Sequence, residues 1–136
     1  MSGLFHVSAR DHGALILMSS LAEAHAESSF VSLRDIAENM KLSQGYLEEV
    51  AASLKSAGLI EGKQGPNGGY RLTRAPSEIS IADILTALEG PMELVDCQSK
   101  GSICPVSHKC SSKNVWKSLQ QTISQSLEST TLASIL

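Results

Sequence analysis

Aromatic side chains are scarce in this 136-residue chain: Phe, Tyr and Trp together make up 4%. With 42% of residues hydrophobic a core can still form, but it has to be built from Leu, Ile, Ala and Val. Positive charge is also short, with 11 Lys and Arg against 14 Asp and Glu, for a net charge of −3. Bulk attraction to a polyanion is thereby excluded, so any nucleic-acid contact must come from local groups, with two copies acting together. Residues 32–74 hold six basic and five acidic side chains, an excess that permits such a contact without driving it. No apolar run approaches the roughly 20 residues that cross a bilayer. No basic segment followed by an apolar stretch opens the chain, so neither a membrane span nor a signal peptide is expected, and the cytoplasm is the default. A P-loop, a dinucleotide fingerprint, a C-x-x-C pair and a nucleophile–base pair are all missing, so the chain is not expected to be an enzyme. Cysteine is absent except for Cys97, Cys104 and Cys110. An odd count in a chain expected to be cytoplasmic favours free thiols or metal thiolates over a disulfide framework.

Apolar spacing and capping residues supply the element order. Residues 8–26 read as a helix, with Leu15, Met18 and Leu21 or Ala22 recurring at three- and four-residue steps. Ser32 and Asp35 have capping-box spacing and open a short helix over 33–40 with Ile36 and Ala37 inward. Lys41-Leu42-Ser43 is a tight connection to a longer helix over 44–57, whose buried stripe is Leu47, Val50, Ala51 and Leu54 and which Gly58 ends. Two short strands, 59–63 and 70–72, flank a Gly/Pro/Asn tip and read as a hairpin. Ser80 and Asp83 form a second capping box, opening a helix through Leu88 that Gly90-Pro91 ends. Residues 93–112 are an irregular cysteine-bearing loop. Helix resumes near Lys113, with Val115, Leu119, Ile123 and Leu127 four apart and Trp116 beside them.

Helix, tight turn, helix and glycine-rich hairpin is the order of a winged helix-turn-helix. The expected fold is mainly α with a small β-hairpin: a DNA-binding domain over 1–90, a cysteine-bearing loop over 91–112 and a long C-terminal helix over 113–136. In such a module the second helix of the pair lies in the major groove with its N-terminal residues at base edges. Those residues are Ser43, Gln44 and Tyr46; Gln can bond adenine bidentately, and Ser can bond a base or a phosphate. Lys63, Gln64 and Asn67 at the hairpin tip can reach the DNA backbone or minor groove. Tyr46 and Tyr70 also suit packing roles, and Lys41 and Lys55 read as solvated helix-end charges. The spacing Cys97-x6-Cys104-x5-Cys110 suits a loop wrapping a centre, with Gly101 and Pro105 letting the sulfurs converge. Thiolates are soft ligands for iron–sulfur centres, zinc or copper(I); the two-residue ligand spacing common in zinc sites is missing.

The wing Gly65-Pro66-Asn67-Gly68-Gly69-Tyr70-Arg71-Leu72 resembles the RGxxGGYxL wing of IscR/NsrR-type bacterial iron–sulfur regulators of the Rrf family. The three clustered cysteines and the Cys110-to-Trp116 spacing resemble the same family, and the likeness covers essentially the whole chain. The stretch 82–91 followed by Cys97 looks most like regulators of the SUF iron–sulfur assembly operon. This resemblance implies a homodimer joined through the C-terminal helix on a partly palindromic double-stranded operator. It implies an iron–sulfur cluster, commonly [2Fe-2S], held by Cys97, Cys104, Cys110 and a fourth ligand. It also implies a regulator, expected to be a repressor, of iron–sulfur assembly or stress genes. Two positions depart from the family. Gln64 stands where the wing usually has Arg, with Lys63 the nearest charge, and Lys113 stands where one branch places a His ligand. Another branch uses an acidic residue of the first helix from the other protomer; an ungapped count puts His12 there, with Asp11 one residue away and His108 as the local alternative. A clusterless regulator acting through redox thiols or zinc stays open, as does an iron–sulfur carrier with a vestigial winged helix. The intact wing tip and polar helix start argue against the carrier.

Overall fold

The computed structural model describes residues 8–27, 29–90 and 111–136. Helix α1 spans Ala9–Glu23 and is capped by Ser8, whose side chain accepts from the Asp11 amide. Its buried face is Gly13, Ala14, Leu17, Met18, Leu21 and Ala22, a stripe repeating every four residues. Leu15, expected on that stripe, is only half-buried at its margin. A single 3-10 turn, His25–Glu27, follows in place of the last helical residues expected. Helix α2, Leu33–Met40, and helix α3, Gln44–Ser56, are the helix pair. Ser32 caps α2 by accepting from the Arg34 amide at 3.1 Å. The reciprocal bond expected from Asp35 does not form, unlike the complete box of Ser80 with Asp83. Gly58, at φ 79°, follows the α3 C-cap Ala57 and takes the left-handed position that ends the helix, as expected.

Strands β1, Ile60–Lys63, and β2, Gly69–Leu72, pair antiparallel with Ile60 opposite Leu72 and Lys63 opposite Gly69. Val31 extends this hairpin by one bridge, exchanging both backbone bonds with Tyr70 at 2.8 Å. The link to helix α4, Ile81–Glu89, contains a 3-10 turn, Pro76–Glu78. Helix α5 spans Ser112–Ser129. Among the described residues the architecture is thus mainly helical with one small hairpin, as the element order predicts.

The core is aliphatic throughout. Leu17, Met18 and Leu21 of α1 meet Leu47, Val50 and Leu54 of α3, Leu59 and Ile60 at the wing root, and Ile79 and Ile84 around α4. No polar or charged residue is buried among the described residues. Burying each such side chain contributes roughly 1.5–3 kcal/mol, so a chain poor in aromatics still closes a core.

The C-terminal helix departs most from expectation. It stops at Ser129 instead of running on towards residue 136, and the chain turns back. Thr131 pairs with Ser80, the Ile81 amide donates to Thr130 at 2.9 Å, and the Leu132 amide donates to Ile79 at 2.8 Å. Leu132 is fully buried in the core. The apolar row on α5 consequently splits. Leu127 packs against the core, whereas Val115 and Leu119 stand 55% and 41% exposed.

Candidate nucleic-acid interface

The exposed start of α3 is built by its own cap. Ser43 Oγ accepts from the Tyr46 amide at 3.3 Å, which satisfies one free helix donor and fixes the first turn. The capping hydroxyl still has its proton to donate outward. Gln44 is exposed, and its Nε2 donates to Glu48 Oε1 at 3.4 Å, one turn further along α3.

Tyr46 takes a different role from its neighbours. It is half-buried, its hydroxyl donates to the Ala9 carbonyl, and its ring lies over Gly13 of α1. It therefore braces the start of α3 against α1, the packing role that the sequence also offered it.

The wing tip is shaped by two glycines. Gly65 sits at φ 109° and accepts from the Gly68 amide at 2.9 Å. A Cβ on Gly68 would collide with the Lys63 carbonyl, so only glycine closes this turn. Lys63, Gln64 and Asn67 are exposed around the tip. The wing is stiffened by Phe30, over whose ring the Arg71 guanidinium lies at 4.5 Å and the Lys63 ammonium at 5.7 Å. Arg71 also pairs with Glu61 across the hairpin.

The α3 start and the wing face one another. A solvent-open groove is lined by Gln44 and Glu48 of α3, Lys63 and Gly65 of the wing, and Ser32 and Arg34 at the start of α2. The structure thus brings Gln44 and Lys63 to one surface, with Ser43, Gln64 and Asn67 exposed on the same two elements. Arg34, Glu48 and Phe30 belong to this neighbourhood and were not singled out from sequence. A signal was available for Glu48, which lies one turn from Gln44 on the same helix face. None existed for Phe30, whose contacts join residues far apart in the chain.

Cys97, Cys104, Cys110 and His108 lie outside the described residues, as does nearly all of the expected 91–112 loop. Among the described residues no three metal-ligating side chains converge. His12 is exposed on α1. Asp11 is half-buried; its Oδ2 accepts from Ser8 Oγ at 2.9 Å, while its Oδ1 is buried with no hydrogen-bond partner. Ser8 Oγ also lies 3.0 Å from Glu89 Oε1, so its one proton can serve either carboxylate, and turned to Glu89 it links the start of α1 to the end of α4. No helix among the described residues is long and apolar enough to cross a membrane.

Comparison with known proteins agrees with this architecture. Residues 7–136 match the model of the Rrf2 family, described as an iron-dependent transcriptional regulator. An HTH-type transcriptional regulator of Neisseria meningitidis serogroup A is 37% identical over 123 residues, covering 90% of this chain and 82% of that protein. IscR of Vibrio vulnificus is 34% identical over 112 residues, 82% of this chain and 66% of that protein. Among solved structures, CymR, the global cysteine regulator of B. subtilis, superposes with a TM-score of 0.77 at 31% identity, over 96% of this chain and 95% of that one. IscR of T. potens superposes with a TM-score of 0.75 at 35% identity, over 96% and 85%. These named relatives are transcriptional regulators, not enzymes. Sequence match and winged architecture converge over nearly the whole chain, and the protein belongs to the Rrf2 family of DNA-binding transcriptional regulators.

Proposed function

We propose that the protein is a cytoplasmic, homodimeric repressor whose hold on double-stranded operator DNA follows the state of an iron–sulfur cluster at Cys97, Cys104 and Cys110. The observation that carries the DNA half is the shared groove of the α3 start and the wing, which offers Gln44 to base edges and Lys63 to the backbone. Ser43, Gln64 and Asn67 supplement these contacts, and Tyr46 holds α3 at its angle. Two copies are needed, because a chain of net charge −3 has few cations for one half-site. Val115 and Leu119, exposed one turn apart on α5, are the surface through which a second copy would join.

The sensing half rests on the chemistry of the donors and on the family. Three clustered thiolates suit an iron–sulfur centre, and [2Fe-2S] is the form favoured by the likeness to IscR-type regulators. Two residues of α1 support this reading. Asp11 carries a buried oxygen without a partner, and His12 is exposed and so reachable from a second protomer. Either is the candidate fourth ligand, with His108 the alternative from the cysteine segment itself. A bound cluster would supply an iron- and redox-sensitive tie between that segment and α1. Ser8 joins α1 to Glu89, the last residue of α4 before the cysteine segment, so a change there reaches the frame that braces α3. The regulated genes are those of iron–sulfur assembly or stress.

A second reading has its own support. The likeness to CymR, the global cysteine regulator of B. subtilis, and to the CymR of Staphylococcus aureus, solved in an oxidized form, favours a clusterless regulator whose thiols respond directly to redox state. Zinc held by the same thiols is a weaker variant. The deciding experiment is the anaerobic absorption and Mössbauer spectrum of protein from iron-replete cells, with iron and sulfide assays and DNA binding on the same sample. Visible cluster bands that vanish in Cys104→Ala, together with a change in operator affinity, are expected. Colourless protein after anaerobic reconstitution, with binding that still responds to thiol oxidants, would leave the CymR-like reading.

A further inference from the structure

Lys41 closes α2 in the left-handed conformation, at φ 56° and ψ 45°, and is the one non-glycine residue at positive φ among the described residues. Its amide donates to the Ala37 carbonyl, the bond that ends the helix. Glycine is the usual occupant of such a position and asparagine the next, because a Cβ crowds the backbone there. The Lys41 side chain is exposed, and it makes no ion pair among the described residues. The nearest carboxylate in sequence, Glu38, is held by Arg34 at 3.3 Å. Among the described residues no ion pair offsets the strain, and an outlier of this kind points to function.

Position supplies the rest of the argument. Lys41 stands two residues before Ser43, the cap of α3, on the turn that leads to the helix start facing the groove. Lys63 stands on the other side of that start, across the groove from Gln44. The reading end of α3 is thus flanked by one ammonium in the preceding turn and one on the wing. A lysine is a point charge on a flexible stem, suited to a phosphate and indifferent to base identity.

We propose that Lys41 is a DNA-backbone contact: its ammonium binds a phosphate beside the bases that α3 faces. This contact is the reason that a lysine occupies a turn position which glycine would fill without strain. The proposal rests on α3 being the DNA-reading helix. Its competitor is a lysine that merely favours the negative end of the α2 dipole.

The test compares wild type with Lys41→Gly, Lys41→Asn and Lys41→Arg in thermal melting and in DNA binding across a salt series. Two duplexes are used, one of mixed sequence and one selected by the wild type from a random pool. Glycine fits the backbone, so Lys41→Gly is expected to fold and to melt no lower than wild type. It is expected to bind both duplexes about tenfold more weakly, by the same factor, with a log–log salt slope shallower by about one for each protomer bound. Lys41→Asn should share the binding loss, and Lys41→Arg should restore both affinity and slope. Unchanged affinity and slope in Lys41→Gly would overturn the proposal in favour of the dipole role. A loss confined to the selected duplex would also overturn it, by making Lys41 a base contact. If the wild type fails to prefer its selected duplex, the reading of α3 falls instead, while the mixed-sequence series still decides Lys41.

Discussion

Two opposing effects meet at Gly13. A glycine inside a helix is worse than alanine by roughly 0.5–1 kcal/mol, so Gly13→Ala ought to stabilise α1. The Tyr46 ring lies where the new methyl would go, and its hydroxyl is committed to the Ala9 carbonyl. Overpacking of this kind costs about 1–3 kcal/mol, which outweighs the propensity gain. Gly13→Ala is therefore expected to lower stability by roughly 1 kcal/mol in urea unfolding, and the same substitution in a Tyr46→Ala background should raise it. If Gly13→Ala stabilises both backgrounds, Tyr46 does not brace α3 against α1. The pair also shows where residue-level reading stops. The sequence offers Tyr46 two roles, base contact or packing, and its spacing on α3 fits either. Only the close approach of α1, reached across more than thirty residues of chain, decides between them. Lys41 is the same lesson in another form, because a lysine in a turn looks merely solvated until its backbone conformation is known.

Elements whose limits are set by local chemistry were legible in the sequence. Ser43 and Gly58 bound α3 through bonds to near neighbours, and the Ser80–Asp83 box starts α4 at the residue that its spacing indicates. The glycine tip likewise specifies the hairpin, because Gly65 and Gly68 take up geometry that other residues cannot. The end of α5 was not legible. Nothing in its Ser- and Thr-rich sequence forces a stop at Ser129; the stop comes from pairing of residues 130–132 with Ile79, Ser80 and Ile81, some fifty positions earlier. This pairing welds the far end of α5 to the DNA-binding body and leaves its first turns projecting. Leu132 is the anchor, fully buried and bonded through its amide. Leu132→Ala removes a well-packed leucine and is expected to cost 2–5 kcal/mol, by the usual range of such truncations. Chemical denaturation measures the loss. A cost below about 0.5 kcal/mol, the size of a surface change, would mean that the returning segment is not part of the folded core.

At the scale of the whole molecule, charge and assembly are one problem. Salt dependence counts the phosphates that a protein neutralises, with a slope of about −0.9 for each on duplex DNA. Each copy presents few exposed cations near its groove, chiefly Lys41, Lys63 and Arg34, the last already engaged by Glu38. One copy alone would therefore show a shallow slope and weak binding, which is the physical argument for the proposed second copy in register with the first. Two winged modules can be held in register by α5, because residues 130–132 lock its far end to the body while Val115 and Leu119 stay uncovered. A charge placed there separates assembly from folding. Leu119 is 41% exposed in the single chain, so Leu119→Glu should leave the stability of the chain within about 0.5 kcal/mol. In a self-associated pair the same carboxylate would face an apolar surface and its own symmetry mate, two costs that together dissociate the pair. If the proposed dimer forms through α5, sedimentation should find a dimer for the wild type and a monomer for Leu119→Glu, and the salt slope on a mixed-sequence duplex should fall to about half. A Leu119→Glu protein that sediments as a dimer with an unchanged slope would move the joining surface away from α5, and with it the means by which two reading helices are spaced on one operator.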